Sequence, residues 1–410
     1  MCTNLYLPSF SDPDMNKNLY LVPYWFLNFT IGFGWFTLAP LVPSLIELYG
    51  VSLPSIIELI SLYGYTMVAF ALVSGYLAAK YSVSASLLMS GVLSVMGLFI
   101  RAISTDYSVL LVGQIIAAIA YPLALGPVGT IAQSLNQKRS HMIIGVSVGI
   151  LFLGMSSGSF LGPYVFSALG TVKNVFLLDT VLALISLAIL PLAVRKYPRE
   201  YVGRSLKGSF SPGMIKNWYV GLIISSFSVM FGVIASTELI HKGISIPTAL
   251  HYGGLFGGLA FLGSAFGAIL LPSLFEDIKK VREGMILSSV AAFASLVLLA
   301  YYLSFTSVVE ILSLSYFLFG FFGNAYWSMA MTSTTKYVTD PAKAGLSTSM
   351  YSVATNLGVA FIPVFLGPYF IDNRYPGIAI VAVMIAIGFI LSFTLRVVPS
   401  IKKADEDILT

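Results

Sequence analysis

The sequence predicts an all-α membrane protein in which twelve transmembrane helices form two pseudo-symmetric six-helix bundles. Three observations support this prediction: apolar segments that recur along the chain, a one-sided distribution of basic residues, and sequence echoes, which are short residue patterns that occur in both halves. Of the 410 residues, 57% are hydrophobic and only 10% are charged. A soluble domain carries about 25% charged residues, so we expect most of this chain to lie in a lipid bilayer.

Each apolar segment is long enough to cross a bilayer core of about 30 Å at about 1.5 Å per helical residue. The predicted spans are 19–47, 55–79, 83–104, 108–134, 141–169, 174–194, 218–240, 248–274, 284–305, 308–335, 343–370 and 376–398. The predicted domains are an N-terminal segment (1–18), a first six-helix bundle (19–194), a basic linker (195–217), a second six-helix bundle (218–398) and a C-terminal tail (399–410).

Basic residues concentrate on one predicted side of the membrane. The N-terminus, the loops after even-numbered spans and the C-terminus hold 18 of the 22 Lys and Arg residues, whereas the opposite side holds Arg101, Lys173, Lys242 and Arg374. Cytoplasmic loops are enriched in Lys and Arg. We therefore expect a multi-pass protein of the cell membrane with both termini in the cytoplasm. The same placement explains the net charge of +5 without a nucleic-acid partner.

The residue inventory argues against several classes of site. The chain has one cysteine, Cys2, and three histidines, which offer neither a disulfide framework nor a clustered metal site. The sequence shows no Ser/His/Asp constellation and no phosphate-binding loop of the kind that ATP-driven transporters use. We therefore predict a monomeric protein that is not an enzyme and that uses no metal and no cofactor.

Two sequence echoes relate the halves. A Gly-x-Ser-x-Pro segment follows span one at 50–54 and recurs after span seven at 243–247, which is 193 residues later. Three positions of span five, Gly145, Gly158 and Pro163, recur exactly 200 residues later in span eleven, at 345, 358 and 363. Carriers that bind their solute between repeated halves have such internal symmetry. The echoes therefore favour a transporter with a central site.

Span five also carries Gly149, Gly158 and Gly162-Pro163, with eight and three intervening residues. This spacing is similar to the GxxxxxxxxGxxxGP motif of the major facilitator superfamily, which the chain resembles over its whole length. The resemblance implies transport by alternating access and a cavity lined by spans one, four, seven and ten. More locally, haem/choline carriers of the FLVCR type have segments similar to 32–35, 49–52, 112–115, 320–322 and 341–347.

Several positions depart from these patterns. Gln114 stands where the superfamily commonly has a span-four arginine. Trp35 is similar to one residue of the set by which FLVCR-type carriers bind a cation, and Asn356 replaces a glutamine of that set. Phe152 and Val233 stand where the set has a glutamine and a tyrosine. Half of the set is therefore missing, and choline is only one candidate solute.

Polar and aromatic side chains within the spans are candidates for the transport path, because polar groups in lipid are costly and tend to be functional. Helical spacing places the members of each set on one face of their span. The predicted solute-binding residues are Asn28 and Trp35 in span one, Gln114 and Tyr121 in span four, Asn324 and Trp327 in span ten, and Ser352 and Asn356 in span eleven. The alternative is that tryptophans mark the membrane interface, which we prefer for Trp25, and that amides join neighbouring helices.

The predicted solute is a small neutral, amphipathic or weakly cationic organic molecule. No Lys or Arg lies in the middle of a predicted span, and an anion without a counter-charge costs several kcal/mol in a low dielectric. Aromatic faces can instead stabilise a cation by about 0.5–2 kcal/mol.

Two alternatives to this function are a proton-coupled exporter of amphipathic compounds and a non-transporting receptor or scaffold. Against the receptor, the sequence shows no sizeable soluble domain.

Titratable side chains cluster at the predicted outer ends of the spans, namely Asp179, Glu238, His241, Glu58 and His251. Partly buried carboxylates can exchange protons with solvent. We therefore hypothesise that Glu238, with Asp179 or His241, couples transport to protons or gates the outer side. Glu58 and His251 occupy equivalent positions in the two halves, because each lies four residues after the proline of its Gly-x-Ser-x-Pro segment. The alternatives are solvated rim charges and facilitated diffusion without a coupling ion.

Small residues recur at helical spacing in spans five and eight. Gly149, Gly158, Gly162 and Pro163 mark span five, and Gly254 and Gly258 mark span eight. Such faces let helix backbones approach closely. The resemblance implies that these two spans pack across the two halves, so smooth faces there would let the halves move. Ordinary tight packing is the alternative.

Overall fold

A computed structural model of the protein describes residues 21–135, 140–194, 212–334, 344–395 and 397. The described residues contain helices and turns but no strand. Their twelve spans are Leu21–Tyr49, Leu53–Lys80, Val83–Ala102, Tyr107–Leu125 with Val128–Leu135, Ser140–Leu169, Val172–Ile189 with Pro191–Val194, Met214–His241, Ile246–Asp277, Val281–Phe305, Val309–Thr334, Ala344–Asp372 and Arg374–Ser392. The predicted N-terminal segment, residues 195–211 of the predicted linker and the predicted C-terminal tail lie outside this description.

The structure confirms the predicted fold class. Eleven of the described spans are long and apolar enough to cross a membrane by composition alone. Span ten, Val309–Thr334, is not among them because it carries many polar residues. Several of these, including Asn324, Ser328 and Thr332, are buried within the protein. A span can tolerate polar side chains that face the bundle interior rather than lipid.

The packing of the spans repeats between the halves. Span five packs against span eight and span two against span eleven, and these two pairs join the halves. Within the halves, the contact of span one with span five matches that of span seven with span eleven. Spans three and four likewise match spans nine and ten. Each pair has its counterpart six spans later, which is the symmetry that the sequence echoes predicted.

Span one is interrupted near its predicted outer end. Its first helical piece ends at Phe36, a 3-10 turn covers Ala39–Leu41, and a second piece covers Val42–Tyr49. Pro40 causes the interruption because proline has no N–H for the helical hydrogen bond and its ring clashes with the preceding turn. Gly50 ends the second piece in the left-handed region, at φ 63°, where a residue without Cβ carries no steric penalty.

Small residues do form the seam between spans five and eight. A Cβ atom built on Gly254 would lie 2.7 Å from the carbonyl oxygen of Ser159 and 2.9 Å from the ring of Pro163. A Cβ on Gly258 would lie 2.5 Å from the ring of Phe160. Larger side chains at these positions would force the two spans apart.

Two of the three predicted glycines of span five have a different partner from the one expected. Gly149 faces span eight, where an added Cβ would lie 2.7 Å from the side chain of Ile269. Gly158 instead faces the Phe33 carbonyl of span one, and Gly162 faces Thr37 in the same way. Nine helical residues turn the chain by about 900°, which places Gly149 and Gly158 on opposite sides of the helix. Gly158 and Gly162 therefore pack span one into the first half and do not lie at the seam.

Arg101 also differs from its predicted place. The charge distribution predicts an outer position for it, but its side chain is 0% exposed within span three. Its Nη2 forms an ion pair with Asp179 of span six, and its Nη1 donates to the carbonyl oxygen of Gly34 at 2.8 Å and to Oε1 of Gln114 at 3.0 Å. Thr37 Oγ1 donates to the same carboxylate at 3.1 Å. Four spans of the first half therefore meet at one buried ion pair.

We predict that Arg101→Met lowers the thermal unfolding temperature of the purified protein, because it leaves the Asp179 carboxylate buried without a counter-charge. Removing one member of a buried pair costs about 3–5 kcal/mol, whereas replacing both members with apolar residues is often neutral. The double variant Arg101→Met with Asp179→Leu should therefore recover part of the loss. Thermal unfolding in detergent measures both variants. A single variant as stable as the parent protein would contradict the prediction.

Candidate functional site

A cavity lies between the two halves. The space open to the centre of a water molecule is about 40 Å³, which is room for a few waters. The first half lines it with Trp35, Tyr121, Leu125, Val148, Leu151, Phe152 and Met155, and the second half with Ser225, Ser228, Val229, Phe261, Asn324, Trp327, Asn356 and Val359. Spans one, four, seven and ten all contribute, together with spans five, eight and eleven. An organic solute would fit only after the halves move apart.

Trp35 forms an aromatic wall on the side of the first half. Its indole ring stacks on Tyr63, with ring centroids 4.5 Å apart and planes 6° apart, and its centroid lies 5.2 Å from that of Tyr121. Its Nε1 donates to the carbonyl oxygen of Ile60 at 2.8 Å. Stacking and the hydrogen bond together hold the indole in one orientation.

The second half presents two amides and a second indole. Asn324 Nδ2 donates to Ser264 Oγ at 2.7 Å, and Asn356 Nδ2 donates to the carbonyl oxygen of Ser352 at 2.9 Å. Trp327 Nε1 donates to Thr355 Oγ1 at 3.3 Å. These bonds orient polar side chains toward the cavity. None of the described residues that line the cavity is charged.

The structure therefore brings five of the predicted solute-binding residues to one cavity: Trp35, Tyr121, Asn324, Trp327 and Asn356. Ser352 lies one helical turn from Asn356 and lines a second, smaller cavity toward the predicted cytoplasmic side, which Leu125 also lines.

The other two predicted binding residues lie elsewhere. Gln114 is 0% exposed; its Nε2 donates to the carbonyl oxygen of Leu59 at 3.0 Å, and its Oε1 accepts from Arg101. Asn28 is 1% exposed and buried in the first half, outside the cavity lining. Gln114 fits the alternative of an amide that joins neighbouring helices, whereas Asn28 forms no hydrogen bond to another span among the described residues. Helical spacing alone cannot distinguish a residue that faces a cavity from one that faces a packed interior.

Ten of the fifteen described lining residues were not among the predicted binding residues, and four of them are polar or aromatic. Ser225 and Ser228 follow Gly32 and Trp35 by 193 residues, so the repeat itself identifies them as counterparts of the span-one face. Phe152 and Phe261 line the cavity with rings whose centroids are 6.1 Å apart. The resemblance marked the position of Phe152 only as a departure from the FLVCR-type set, and Phe261 gave no signal because buried phenylalanines are abundant in any membrane protein.

The predicted outer side of the cavity is closed by contacts between the halves. Phe36 of span one packs edge-on against Phe261 of span eight, with centroids 4.3 Å apart. Ser236 Oγ of span seven donates to the carbonyl oxygen of Pro40 at 3.1 Å. These contacts involve the interrupted end of span one.

A further contact between the halves joins Tyr164 and His251. The Tyr164 hydroxyl lies 3.1 Å from His251 Nε2, and the rings meet edge-to-face. Among the predicted gate residues, His251 is thus the one that the structure places between the halves. Glu58 and His241 are exposed.

Glu238 and Asp179 are not brought together. Glu238 is buried and accepts from Arg374 Nη2 at 2.6 Å, and Arg374 is 34% exposed. Lys242, just beyond span seven, donates to the carbonyl oxygens of Leu303 and Thr306. Burial lowers the pKa of the Lys242 ammonium, and the nearby Glu238 carboxylate opposes that shift. Because all of these partners belong to the second half, the hypothesised gate formed by Glu238 with Asp179 or His241 lacks the contact between halves that it would need.

Comparisons with known proteins agree with this architecture. The family model described as Major Facilitator Superfamily matches residues 24–302 and 250–407. No curated protein matches the chain. The crystal structure of the nucleoside transporter NupG, in a mutant form, matches 93% of this chain and 99% of its own with a TM-score of 0.67 at 16% sequence identity. That identity supports a shared fold. Since the family model matches nearly the whole length, the chain belongs to the major facilitator superfamily of membrane transport proteins.

Proposed function

We propose that this protein is a secondary active or facilitative transporter that moves a small neutral, amphipathic or weakly cationic organic solute by alternating access. The observation that carries the proposal is the central cavity, to which both halves contribute aromatic side chains, the second half contributes two amides, and no described charged residue contributes. A site shared between two halves changes its access when one half moves against the other.

The chemistry of the lining supports this solute class. Trp35, Tyr121 and Trp327 offer aromatic faces, which attract apolar surfaces and diffuse positive charge. Because Asn324 Nδ2 already donates to Ser264, its side-chain oxygen is the atom that a solute donor would approach. Ser225 and Ser228 add hydroxyl groups on the facing span. A molecule with one polar donor group and one flat or apolar part matches these surfaces.

Anionic solutes are disfavoured. Arg101, which donates to Gly34 beside the lining residue Trp35, is fully buried and paired with Asp179, outside the lining of the cavity. Its charge is therefore already compensated. A phosphate or dicarboxylate would have to leave water without a counter-charge, which costs several kcal/mol.

A ligand panel tests the proposed solute class. The purified protein is heated with choline, ethanolamine, haem, adenosine, uridine or a lipophilic cationic dye, and with phosphate and succinate as anionic comparators. Choline and haem represent the FLVCR-type resemblance, and the nucleosides represent the name of the structurally similar transporter. We expect neutral or cationic compounds to raise the unfolding temperature and to drive counterflow in proteoliposomes. Stabilisation and counterflow by the anions alone would overturn the proposal.

Trp327→Phe should weaken solute binding because it shortens the aromatic face and removes the N–H that anchors it to Thr355. We expect the apparent affinity for the best panel compound to fall about tenfold, equivalent to about 1.4 kcal/mol. Trp25→Phe is the matched control: it also removes an indole hydrogen bond, to Ser147 at 3.0 Å, but Trp25 does not line the cavity. Equal losses in the two variants would contradict a binding role for Trp327.

Glu238→Gln tests proton coupling. One carboxylate oxygen of Glu238 pairs with Arg374, and the other has no hydrogen-bond partner among the described residues. Since the pair links spans seven and twelve within one half, we expect the variant to lose thermal stability while the pH dependence of proteoliposome uptake is unchanged. Loss of stimulation by a proton gradient, with uptake otherwise retained, would instead assign the coupling proton to Glu238.

A further inference from the structure

Two sets of buried hydrogen bonds, called the first and second routes below, connect Arg101 with the surroundings of Trp35. Trp35 belongs to the last turn of the first helical piece of span one, which ends at Phe36. Its ring faces the cavity, and its Nε1 is bonded to Ile60 of span two. The position of the indole therefore depends on how span one ends and on where the Ile60 carbonyl is held.

The first route controls the backbone beside Trp35. The last carbonyl groups of a helix have no partner within the helix. Arg101 Nη1 donates to the carbonyl oxygen of Gly34, the residue directly before Trp35, at 2.8 Å. Thr37, two residues after Trp35, donates to the Asp179 carboxylate at 3.1 Å. The buried ion pair thus holds span one immediately before and after the tryptophan.

The second route controls the acceptor of the indole. Gln114 Oε1 accepts from Arg101 Nη1 at 3.0 Å, and Gln114 Nε2 donates to the carbonyl oxygen of Leu59 at 3.0 Å. Leu59 directly precedes Ile60, whose carbonyl oxygen accepts from Trp35. Gln114 therefore ties span two to the same arginine that holds span one.

From this geometry we propose that Arg101, Asp179 and Gln114 form a positioning unit that fixes the Trp35 indole in the cavity wall. The role in transport rests on the proposed function, because it requires Trp35 to contact the solute. Arginine suits the unit because its planar guanidinium directs donors in fixed directions. Nη1 donates to the Gly34 carbonyl oxygen and to Gln114 Oε1, and Nη2 donates to the Asp179 carboxylate. The guanidinium carbon lies 4.5 Å from the centroid of the Phe176 ring. Apolar residues would pack as densely but would not set the direction of the indole.

The test observes Trp35 directly and needs no solute. The full-length protein, which contains four tryptophans, is labelled with 5-fluorotryptophan, and Trp35→Phe identifies the Trp35 line in the ¹⁹F NMR spectrum. Gln114→Met removes the bridge between Arg101 and Leu59 while the ion pair remains. We expect the Trp35 line to shift or to split into two, because the indole gains a second orientation, and we expect the other three lines to stay in place.

Ser86→Ala is the matched control. Ser86 is buried and its Oγ donates to the carbonyl oxygen of Leu123 at 2.8 Å, so it joins the same two spans as the Arg101–Gln114 bond, and neither residue bonds to Trp35 or stacks on it. We expect an unchanged Trp35 line in this variant. Arg101→Lys keeps the positive charge beside Asp179 but loses the directed donors, and we expect it to shift the Trp35 line as Gln114→Met does.

Two results would overturn the proposal. One is a Trp35 line that stays unchanged in Gln114→Met and Arg101→Lys while both variants remain folded by thermal unfolding. The other is an equal shift in Ser86→Ala, which would show a general response to packing. A confirmed shift without any effect of Gln114→Met on choline or nucleoside counterflow would leave the positioning established and would count against Trp35 as a solute contact.

Discussion

A bilayer core offers no water to a polar group, so each backbone amide, hydroxyl and charge must find its partner inside the protein. Helices satisfy the backbone, and buried serines such as Ser264 and Ser304 donate to carbonyls one turn earlier in their own helix. The charges follow the same constraint: Arg101 and Asp179 compensate each other within the first half. Because the buried charges are paired elsewhere, the cavity is left with indoles, amides and hydroxyls.

The two halves share one frame but supply different chemistry to the cavity. The first half contributes three aromatic rings and four aliphatic or thioether side chains, and its ion pair is fully buried. The second half contributes two amides, and its own ion pair, between Glu238 and Arg374, lies at the rim and is partly open to solvent. Pseudo-symmetry therefore governs the helices and their packing, whereas the polar side chains have diverged. Such divergence lets one fold serve many solutes.

Sequence reasoning succeeded where the signal was periodic and failed where it depended on a tertiary partner. Hydropathy and the repeat predicted the twelve spans, because apolar length is a local property. The pairing of spans five and eight was implied by the family resemblance. Gln114 was misplaced because an amide looks the same on a cavity face and on a packed face. Arg101 and Asp179 both fell inside predicted spans near the same side. A charge within a span requires a partner, but Glu58 and Glu238 also lie inside predicted spans near that side, so the sequence alone did not identify Asp179 as the partner of Arg101.

Two of the hydrogen bonds across the seam between spans five and eight come from serine hydroxyls: Ser156 Oγ donates to the Gly258 carbonyl at 2.8 Å and Ser159 Oγ to the Gly254 carbonyl at 3.3 Å. A hydroxyl can rotate about its own bond and donate to a carbonyl of its own helix, as Ser147 does toward Ile143. Separation of the two helices would then exchange one acceptor for another at each of these two serines. The alternating-access movement proposed above would therefore not be opposed by a loss of these two hydrogen bonds.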